Sequence, residues 1–180
     1  TVEPLAKIAN WYVGIDYSKK MVRDAQIYHP GYDIRVGDAT NLRDFEDGQF
    51  DIVVFPFNGL DYIGPNDRIL AIREIYRVLQ FGGLFVFSSH NIEAPRRAPY
   101  SLRNIKWNKG VIKFGRSILS YFIKNLNAIR LKKYEKHGYG YSMLVDQAHH
   151  YSLVTYFTNL MKQNKQLREL GFEVHECLGI

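Results

Sequence analysis

Hydrophobic and polar positions in the first half of the chain follow two different periods. Residues 50–55 (FDIVVF) are almost all β-branched or aromatic, which is typical of a strand buried on both faces. Residues 66–67 (Asn-Asp) can cap a helix, and the apolar residues that follow recur at helical spacing. The pair Gly82-Gly83 is expected to end this helix, and residues 84–89 to form a second buried strand. The pattern predicts a parallel strand pair with a right-handed crossover.

Upstream of this unit, shorter segments extend the same alternation. Residues 11–16 and 34–36 are predicted strands, and residues 1–10 resemble the end of a helix. Ser18 can cap a helix over residues 19–28, which His-Pro-Gly ends. The order helix, strand, helix, strand, strand, helix, strand favours an open, mostly parallel α/β sheet.

The pattern changes after residue 91. Residues 94–110 contain two prolines and scattered basic residues, which is typical of a loop. Residues 111–133 carry apolar positions at helical spacing and predict a basic amphipathic helix or a broken pair of helices. A strand over 149–157, a helix over 159–170 and a last strand over 172–178 complete the prediction.

Composition excludes several classes of protein. The chain has 180 residues, enough for one domain, and 46% of them are hydrophobic. It contains no apolar run of 18 residues and its first residues have no signal-peptide pattern, so a membrane-spanning or secreted protein is not predicted. Cys177 is the single cysteine, which excludes an internal disulfide and favours the reducing cytoplasm.

Charge divides the chain into two parts. Residues 96–136 hold twelve Lys and Arg against one acid, Glu135, for a net charge of +11, while the chain as a whole carries +6. The remainder is therefore acidic, at −5. A concentration of positive charge of this kind favours contact with anionic partners.

Two acidic residues follow two consecutive predicted strands. Asp16 ends VGID and Asp38 lies in RVGDA. A carboxylate at the carboxyl end of a parallel strand can accept hydrogen bonds from both ribose hydroxyls of a nucleotide, and Asp38 could accept from an adenine amine while the Ala39 amide meets a ring nitrogen. The alternative is that each acid only caps the turn that follows it.

The ordered segments YVGIDYSKKMV, RVGDATNL, FDIVVFPFNGLDYI, EIYRVLQFGGLFVFSSHN and QLRELGFEVHECLG resemble the successive motifs of class I S-adenosylmethionine-dependent methyltransferases. The resemblance covers about residues 1–91 and 159–180. It implies a Rossmann-like, mostly parallel sheet with an antiparallel last strand, S-adenosylmethionine as cofactor, and methyl transfer as the activity. A nicotinamide-dependent dehydrogenase would also place an acid like Asp16 on a ribose, but the Gly-Asp-Ala set favours the methyl donor.

The resemblance also implies the cofactor-binding residues. The acid after the second family strand binds the ribose, flanking residues contact the ribose or adenine, and the end of the fourth family strand lines the methionine part. The matching positions here are Asp16, Tyr17, Met21, Gly37, Asp38, Ala39, Phe55, Pro56 and Asn58.

One departure from the family pattern concerns the start of the chain. The Gly-x-Gly loop that ends the family's first strand does not occur before Asp16, and residues 2–10 resemble the helix that would follow such a loop. We therefore expect the chain to be a truncated single domain that lacks the first strand, which the resemblance places between residues 12–16 and 50–55. In this form it is expected to bind the cofactor poorly.

Methyl transfer from a sulfonium needs mainly orientation and desolvation, and a general base only when the nucleophile carries a proton of high pKa. The candidates for that role are Tyr62, His90 and Tyr151. Each has the plainer alternative of a packing residue, and for His90 also a backbone hydrogen bond at a strand end. His149-His150 are adjacent on a predicted strand and point to opposite faces, so a metal site is not expected.

Residues 94–138 are predicted to form a basic lid, inserted between the fifth and sixth strands in the family's order. The lid could bind a small or anionic acceptor, including nucleic acid. Its aromatic residues fall on the apolar stripe of the predicted helix, which argues against nucleic acid. It could lie on an anionic membrane and reach a lipid-like acceptor, or simply pack on the core. A non-catalytic, methyltransferase-like binding or scaffold protein remains the alternative to an enzyme.

Overall fold

The computed structural model describes residues 2–94, 111–146 and 148–178. Contacts divide the chain into two units. Unit 1 comprises residues 1–57 and 65–88, and unit 2 comprises residues 58–64 and 89–180.

Unit 1 contains the alternating α/β elements that the sequence predicts, in the predicted order. In chain order they are α1 (Val2–Ala6), β1 (Val13–Asp16), α2 (Lys19–Tyr28), β2 (Asp33–Val36), β3 (Phe50–Phe55), α3 (Pro65–Val78) and β4 (Leu79–Phe87).

Local signals in the sequence account for the helices of unit 1. The Ser18 side chain accepts a hydrogen bond from the Met21 amide at 3.3 Å, so the predicted cap begins α2. Helix α3 buries one face at helical spacing, but not the apolar face Ile69, Ile72 and Tyr76 that the sequence indicates, since Tyr76 is exposed and Ile69 only half-buried. The residues of the buried face are Arg68, Ala71, Ile72, Ile75 and Val78.

The strands of unit 1 form two parallel pairs. β1 pairs with β2, with Asp16 opposite Val36, and β3 pairs with β4, with Phe55 opposite Phe87. The two pairs are not hydrogen-bonded to each other in the described residues.

The glycine pair has a different role from the predicted one. Helix α3 already ends at Val78, and Gly82-Gly83 lie inside β4, where the pairing with β3 shifts register. Gly82 has a φ of +79°, and a Cβ on Gly83 would lie 3.0 Å from the Gln80 carbonyl oxygen. The glycines therefore permit an irregularity in the strand. In the sequence, a Gly-Gly pair after a helical pattern looks the same whether it ends the helix or lies in the next strand.

Unit 2 is built on a four-stranded sheet with the order β5-β8-β7-β6. β5 and β8 are parallel, and the remaining pairs are antiparallel. Its elements are a 3₁₀ turn (Gly59–Tyr62), β5 (His90–Asn91), α4 (Val111–Leu131), a 3₁₀ turn (Lys132–Tyr134), β6 (Lys136–Gly138), β7 (Tyr141–Val145), a 3₁₀ turn (Ala148–Tyr151), β8 (Val154–Thr158) and α5 (Leu160–Glu169).

Helix α4 is one continuous helix, so of the two predicted forms the single amphipathic helix is correct and the broken pair of helices is not. Its buried Ala128 packs with Val145 and Tyr151, and Leu131 and Val154 cover this cluster. None of the helices in the described part of the chain combines the length and the apolar character that crossing a bilayer requires.

Two predicted strands of unit 2 are wrong in extent or absent. The strand expected over residues 149–157 begins only at Val154, because a 3₁₀ turn occupies Ala148–Tyr151. Residues 172–178 form no strand. β8 is paired on both sides, with β5 and with β7. The alternating pattern of residues 172–178 predicts an extended segment but does not show whether a strand edge is free to pair with it.

Candidate functional site

The carboxylates of Asp16 and Asp38 follow the two paired strands β1 and β2. Asp16 Oδ1 accepts a hydrogen bond from the Ser18 amide at 2.7 Å. Asp38 Oδ1 accepts from the Thr40 amide at 2.8 Å and from the Thr40 hydroxyl at 2.7 Å. Each acid therefore caps its own turn through one oxygen, as the plainer interpretation of the sequence predicts.

The second carboxylate oxygen of each acid has no hydrogen-bond partner among the described residues. Asp16 and Asp38 are both exposed, so these oxygens can accept hydrogen bonds from a bound molecule. Capping and ligand binding are compatible here, because a carboxylate has two oxygens and the turn uses one of them.

The surroundings of these acids are open and partly apolar. A Cβ on Gly37 would lie 3.1 Å from the Ile15 Cβ, so only glycine lets the chain pass β1 this closely without a shift. Tyr17 and Met21 are exposed, and Ala39 is half-buried. The structure thus puts polar acceptors and exposed apolar side chains in one stretch of unit 1, as expected of a nucleotide-binding edge.

The end of β3 carries unusual backbone conformations. The Ser88 amide donates to the Phe55 carbonyl at 3.4 Å, which extends the pairing of β3 and β4 past their last residues. Beyond the half-buried Pro56, Phe57 and Asn58 have φ values of 57° and 55°, the left-handed region that non-glycine residues rarely occupy. Backbone strain of this kind concentrates at functional sites.

In unit 2, a completely buried acid fixes a histidine. Asp61 Oδ1 accepts from the Ser89 hydroxyl at 2.9 Å, and Asp61 Oδ2 accepts from the His90 amide at 2.6 Å. The same Oδ2 is 2.9 Å from His90 Nδ1. Since a carboxylate only accepts, the proton of this contact belongs to Nδ1, and His90 Nε2 is left with a lone pair.

His90 Nε2 faces two polar groups. The Asn58 side-chain nitrogen lies 3.2 Å away and donates to it. Asp146 Oδ2 lies 4.0 Å away, beyond hydrogen-bond distance. The Asp146 side chain is 7% exposed, and its Oδ2 has no hydrogen-bond partner among the described residues. An acceptor nitrogen and a buried carboxylate oxygen therefore face the same space.

Aromatic rings complete the surroundings of His90. Tyr62 lies edge-on to the imidazole with centroids 6.0 Å apart, and Phe157 lies 5.0 Å from it. Burial, followed by the negative charges of Asp146 and Asp61, raises the pKa of Tyr62 above its usual value. Tyr62 therefore keeps its proton at neutral pH.

Tyr151 has a different environment from the other two candidate bases. It is 2% exposed and packs with Ala128 and Val145 under α4. Of the residues predicted from the sequence, the structure brings Asn58, Tyr62 and His90 together.

Sequence analysis missed two members of this group, Asp61 and Asp146. Asp61 lies in the apolar context GLDYI, and Asp146 directly follows the apolar strand β7. An acid between apolar residues is the available signal, because a buried carboxylate needs partners and is rarely tolerated without a function.

Comparison with known proteins relates the first half of the chain to a family. Residues 1–87 match the methyltransferase domain. Residues 1–87 belong to the class I methyltransferases. A demethylmenaquinone methyltransferase of Streptomyces avermitilis is 37% identical over 100 residues, which are 54% of this chain and 42% of that protein.

A probable S-adenosylmethionine-dependent methyltransferase of Mycolicibacterium smegmatis is 31% identical over 87 residues, 48% of this chain and 32% of that protein. The chain thus spans less than half the length of either relative. A methyltransferase structure from Methanosarcina mazei superposes with a TM-score of 0.58 at 18% identity, over 91% of this chain and 70% of that one. This likeness shows the Rossmann-like fold.

The Mycolicibacterium smegmatis relative depends on S-adenosylmethionine. The residues present fit it, since the unpartnered oxygens of Asp16 and Asp38 provide the acceptors that ribose hydroxyls and an adenine amine require. Both lie at the carboxyl ends of parallel strands, where α/β sheets bind nucleotides.

Proposed function

We propose that the chain transfers the methyl group of S-adenosylmethionine to an acceptor whose reacting atom carries a proton, with His90 as the general base. One observation supports this most strongly: Asp61, fully buried, holds the Nδ1 proton of His90 and leaves Nε2 as an acceptor. A base fixed in one tautomer by a buried carboxylate is the arrangement that proton abstraction requires.

The roles of the residues follow from their contacts. Asp16 and Asp38 bind the nucleoside part of the cofactor, with Tyr17 and Met21 against its apolar surfaces and Gly37 and Ala39 at the adenine. The cofactor, when bound, supplies an electrophilic methyl group with a good leaving group. Phe55, Pro56 and Asn58 line its methionine part.

His90 accepts the proton of the acceptor at Nε2, and Asp61 stabilises the imidazolium that forms, through the contact at Nδ1. The acceptor displaces the Asn58 amide, which donates to Nε2 in its absence, and Tyr62 shields Nε2 from water on one side. Tyr151 remains a candidate from the sequence, with a packing role as the alternative.

The experiment that tests the proposal measures S-adenosylmethionine binding to the protein by calorimetry. Replacing Asp16 by Asn is expected to weaken binding about tenfold to a hundredfold, since a hydrogen bond to a charged group contributes about 1.5–3 kcal/mol. Asp67→Asn, an exposed acid at the start of α3, is the matched control. Absence of binding in the unmodified protein would favour the non-catalytic scaffold instead.

The identity of the acceptor depends also on residues 94–138, the basic segment proposed as a lid. Exposed apolar residues on the outer face of α4 support a membrane-surface enzyme with a lipid-like acceptor as a second candidate. Nucleic acid is less favoured, because the aromatic residues of this segment contribute to the apolar stripe. The single cysteine supports a location in the cytoplasm.

A further inference from the structure

We propose that the group methylated is an amine, which binds as an ammonium ion between Asp146 Oδ2 and His90 Nε2. This inference rests on the proposed function and adds the chemical class of the acceptor. It is carried by a buried carboxylate oxygen that lacks a partner and points to the same space as the lone pair of an oriented imidazole.

Asp146 is held in place by its backbone and not by its carboxylate. Its amide donates to the Leu153 carbonyl at 3.1 Å, which continues the β7–β8 ladder past Val145. The Oδ2 atom makes no hydrogen bond among the described residues, although the side chain is only 7% exposed. A buried acceptor left unpaired costs free energy, and a bound donor would remove that cost.

The charge at this position favours a cation. Within 4.0 Å, the only basic group of the described residues near the Asp146 carboxylate is His90, and their atoms are too far apart for a hydrogen bond. Nε2 accepts the Asn58 amide and therefore carries no proton of its own toward Asp146. The negative charge of Asp146 is thus available to a positively charged ligand and repels an anionic one.

The number of donors distinguishes an ammonium from a hydroxyl group. Once a ligand displaces the Asn58 amide from Nε2, two acceptors are open to it, Asp146 Oδ2 and His90 Nε2, which lie 4.0 Å apart. A hydroxyl has a single hydrogen and can donate to one of them, whereas an ammonium has three and can donate to both. An amine therefore satisfies the site more completely than an alcohol of the same shape.

The contacts with Asp146 and His90 have different roles in the reaction: Asp146 binds the ammonium, and His90 removes its proton. The ammonium gives one proton to His90 Nε2, and its nitrogen then has the lone pair needed to form a bond to the methyl carbon. The bond from that carbon to the sulfonium sulfur breaks, and its electron pair stays on sulfur. The products are the N-methylated ammonium, S-adenosylhomocysteine and one proton, which the imidazolium releases to water.

Two of the side chains beside the proposed site are partly exposed. The His90 side chain is 18% exposed and Tyr62 is 37% exposed. The protonated phenol of Tyr62 and the ring of Phe157 provide an apolar and aromatic surface beside the imidazole, which suits the body of an organic ammonium ion.

The test uses three probes of the same shape and different charge: benzylamine, benzyl alcohol and benzoate. Their binding is followed by the NMR signals of the His90 ring in protein saturated with S-adenosylhomocysteine. Benzylamine is expected to bind about tenfold or more tightly than benzyl alcohol, because only the ammonium makes a charged hydrogen bond to Asp146. Benzoate is expected not to bind measurably.

Asp146→Asn, which preserves shape, is expected to remove the preference for the amine, whereas Glu93→Gln, an exposed acid in unit 2, preserves it. Asp146→Ala serves as a second variant, and melting curves check that each variant folds. Equal binding of the alcohol, or a preference that survives in both Asp146 variants, would overturn the amine assignment. Cofactor binding is measured separately in each variant, so a failure of the proposed methyl transfer is distinguishable.

Discussion

At the scale of single residues, Asp61 and Asp146 show that burial alone does not define the role of an acid. Asp61 accepts hydrogen bonds through both oxygens and fixes Ser89 and His90. Asp146 is nearly as buried, yet its Oδ2 makes no hydrogen bond among the described residues. The first arrangement stabilises the fold, and the second keeps a binding group available.

This contrast gives a prediction about stability. Asp61→Asn places an NH₂ group against donors and is expected to lower the free energy of unfolding by about 3 kcal/mol, the cost of breaking a buried charged network. Asp146→Asn is expected to cost less than about 1 kcal/mol, because no hydrogen bond is lost.

Urea denaturation of the two variants beside the unmodified protein is the measurement. The identical change at two buried aspartates makes each variant the control for the other. Similar losses in both would show that Asp146 has structural partners and would weaken its assignment to a ligand.

At the scale of elements, a charged network joins residues 42–47 to the end of α3. Arg77 donates to both oxygens of Glu74 and to Asp47, at 2.7–3.0 Å, and also to two backbone carbonyls. Glu74 in turn accepts from the Leu42 amide at 2.8 Å. The loop before β3 is therefore attached to the helix by hydrogen bonds as well as by buried Leu42 and Phe45.

The network predicts a pH dependence. The Arg77 guanidinium, followed by the Leu42 amide, holds the pKa of Glu74 below its usual value. A lowered pKa in the folded state stabilises the protein at a pH above the unfolded pKa of about 4.3, and this stabilisation is lost as pH falls through the lower value. Arg77→Met is expected to cost about 2–4 kcal/mol at pH 7 and less at pH 3.

Chemical denaturation at both pH values, with Arg73→Met as the exposed control on the same helix, tests this expectation. A cost for Arg77→Met that does not change between the two values would mean that the contact with Glu74 contributes little.

The elements also show which parts of the structure the sequence could predict. The order from α1 to β4 and the Ser18 cap are local properties and are confirmed. The hairpin of β6 and β7 was missed, and the strand over residues 172–178 was wrong, because pairing depends on which edges are free. Periodicity did not find Asp61 and Asp146, since it assigns buried positions to apolar residues and polar residues to the surface.

At the scale of the whole molecule, positive charge and exposed apolar surface coincide on one segment. The +11 charge of residues 96–136 contrasts with −5 elsewhere. Five apolar side chains of α4 are between 44% and 61% exposed and recur at helical spacing on its outer face. They are Leu119, Phe122, Ile123, Leu126 and Ile129. A basic helix with an exposed apolar face has the composition of a helix that binds at a membrane interface.

The prediction that follows is binding to anionic vesicles. The protein is expected to float with vesicles containing phosphatidylglycerol, to float less with phosphatidylcholine alone, and to dissociate at high salt, because each basic residue near the surface contributes about 1 kcal/mol that salt screens. The double change Phe122→Ser and Leu126→Ser is expected to weaken binding about tenfold or more, since it removes two large apolar side chains from the contact.

The control carries Ile8→Ser and Phe81→Ser, two apolar residues of unit 1 that are more exposed than Phe122 and Leu126. Unchanged flotation of the α4 variant, or an equal loss in the control, would contradict the membrane assignment. Light scattering in the absence of vesicles tests whether a second copy of the chain covers this face instead. If the protein is a dimer and the α4 changes dissociate it, a second copy covers the face. In that case the charge of the segment would serve the acceptor and not a membrane.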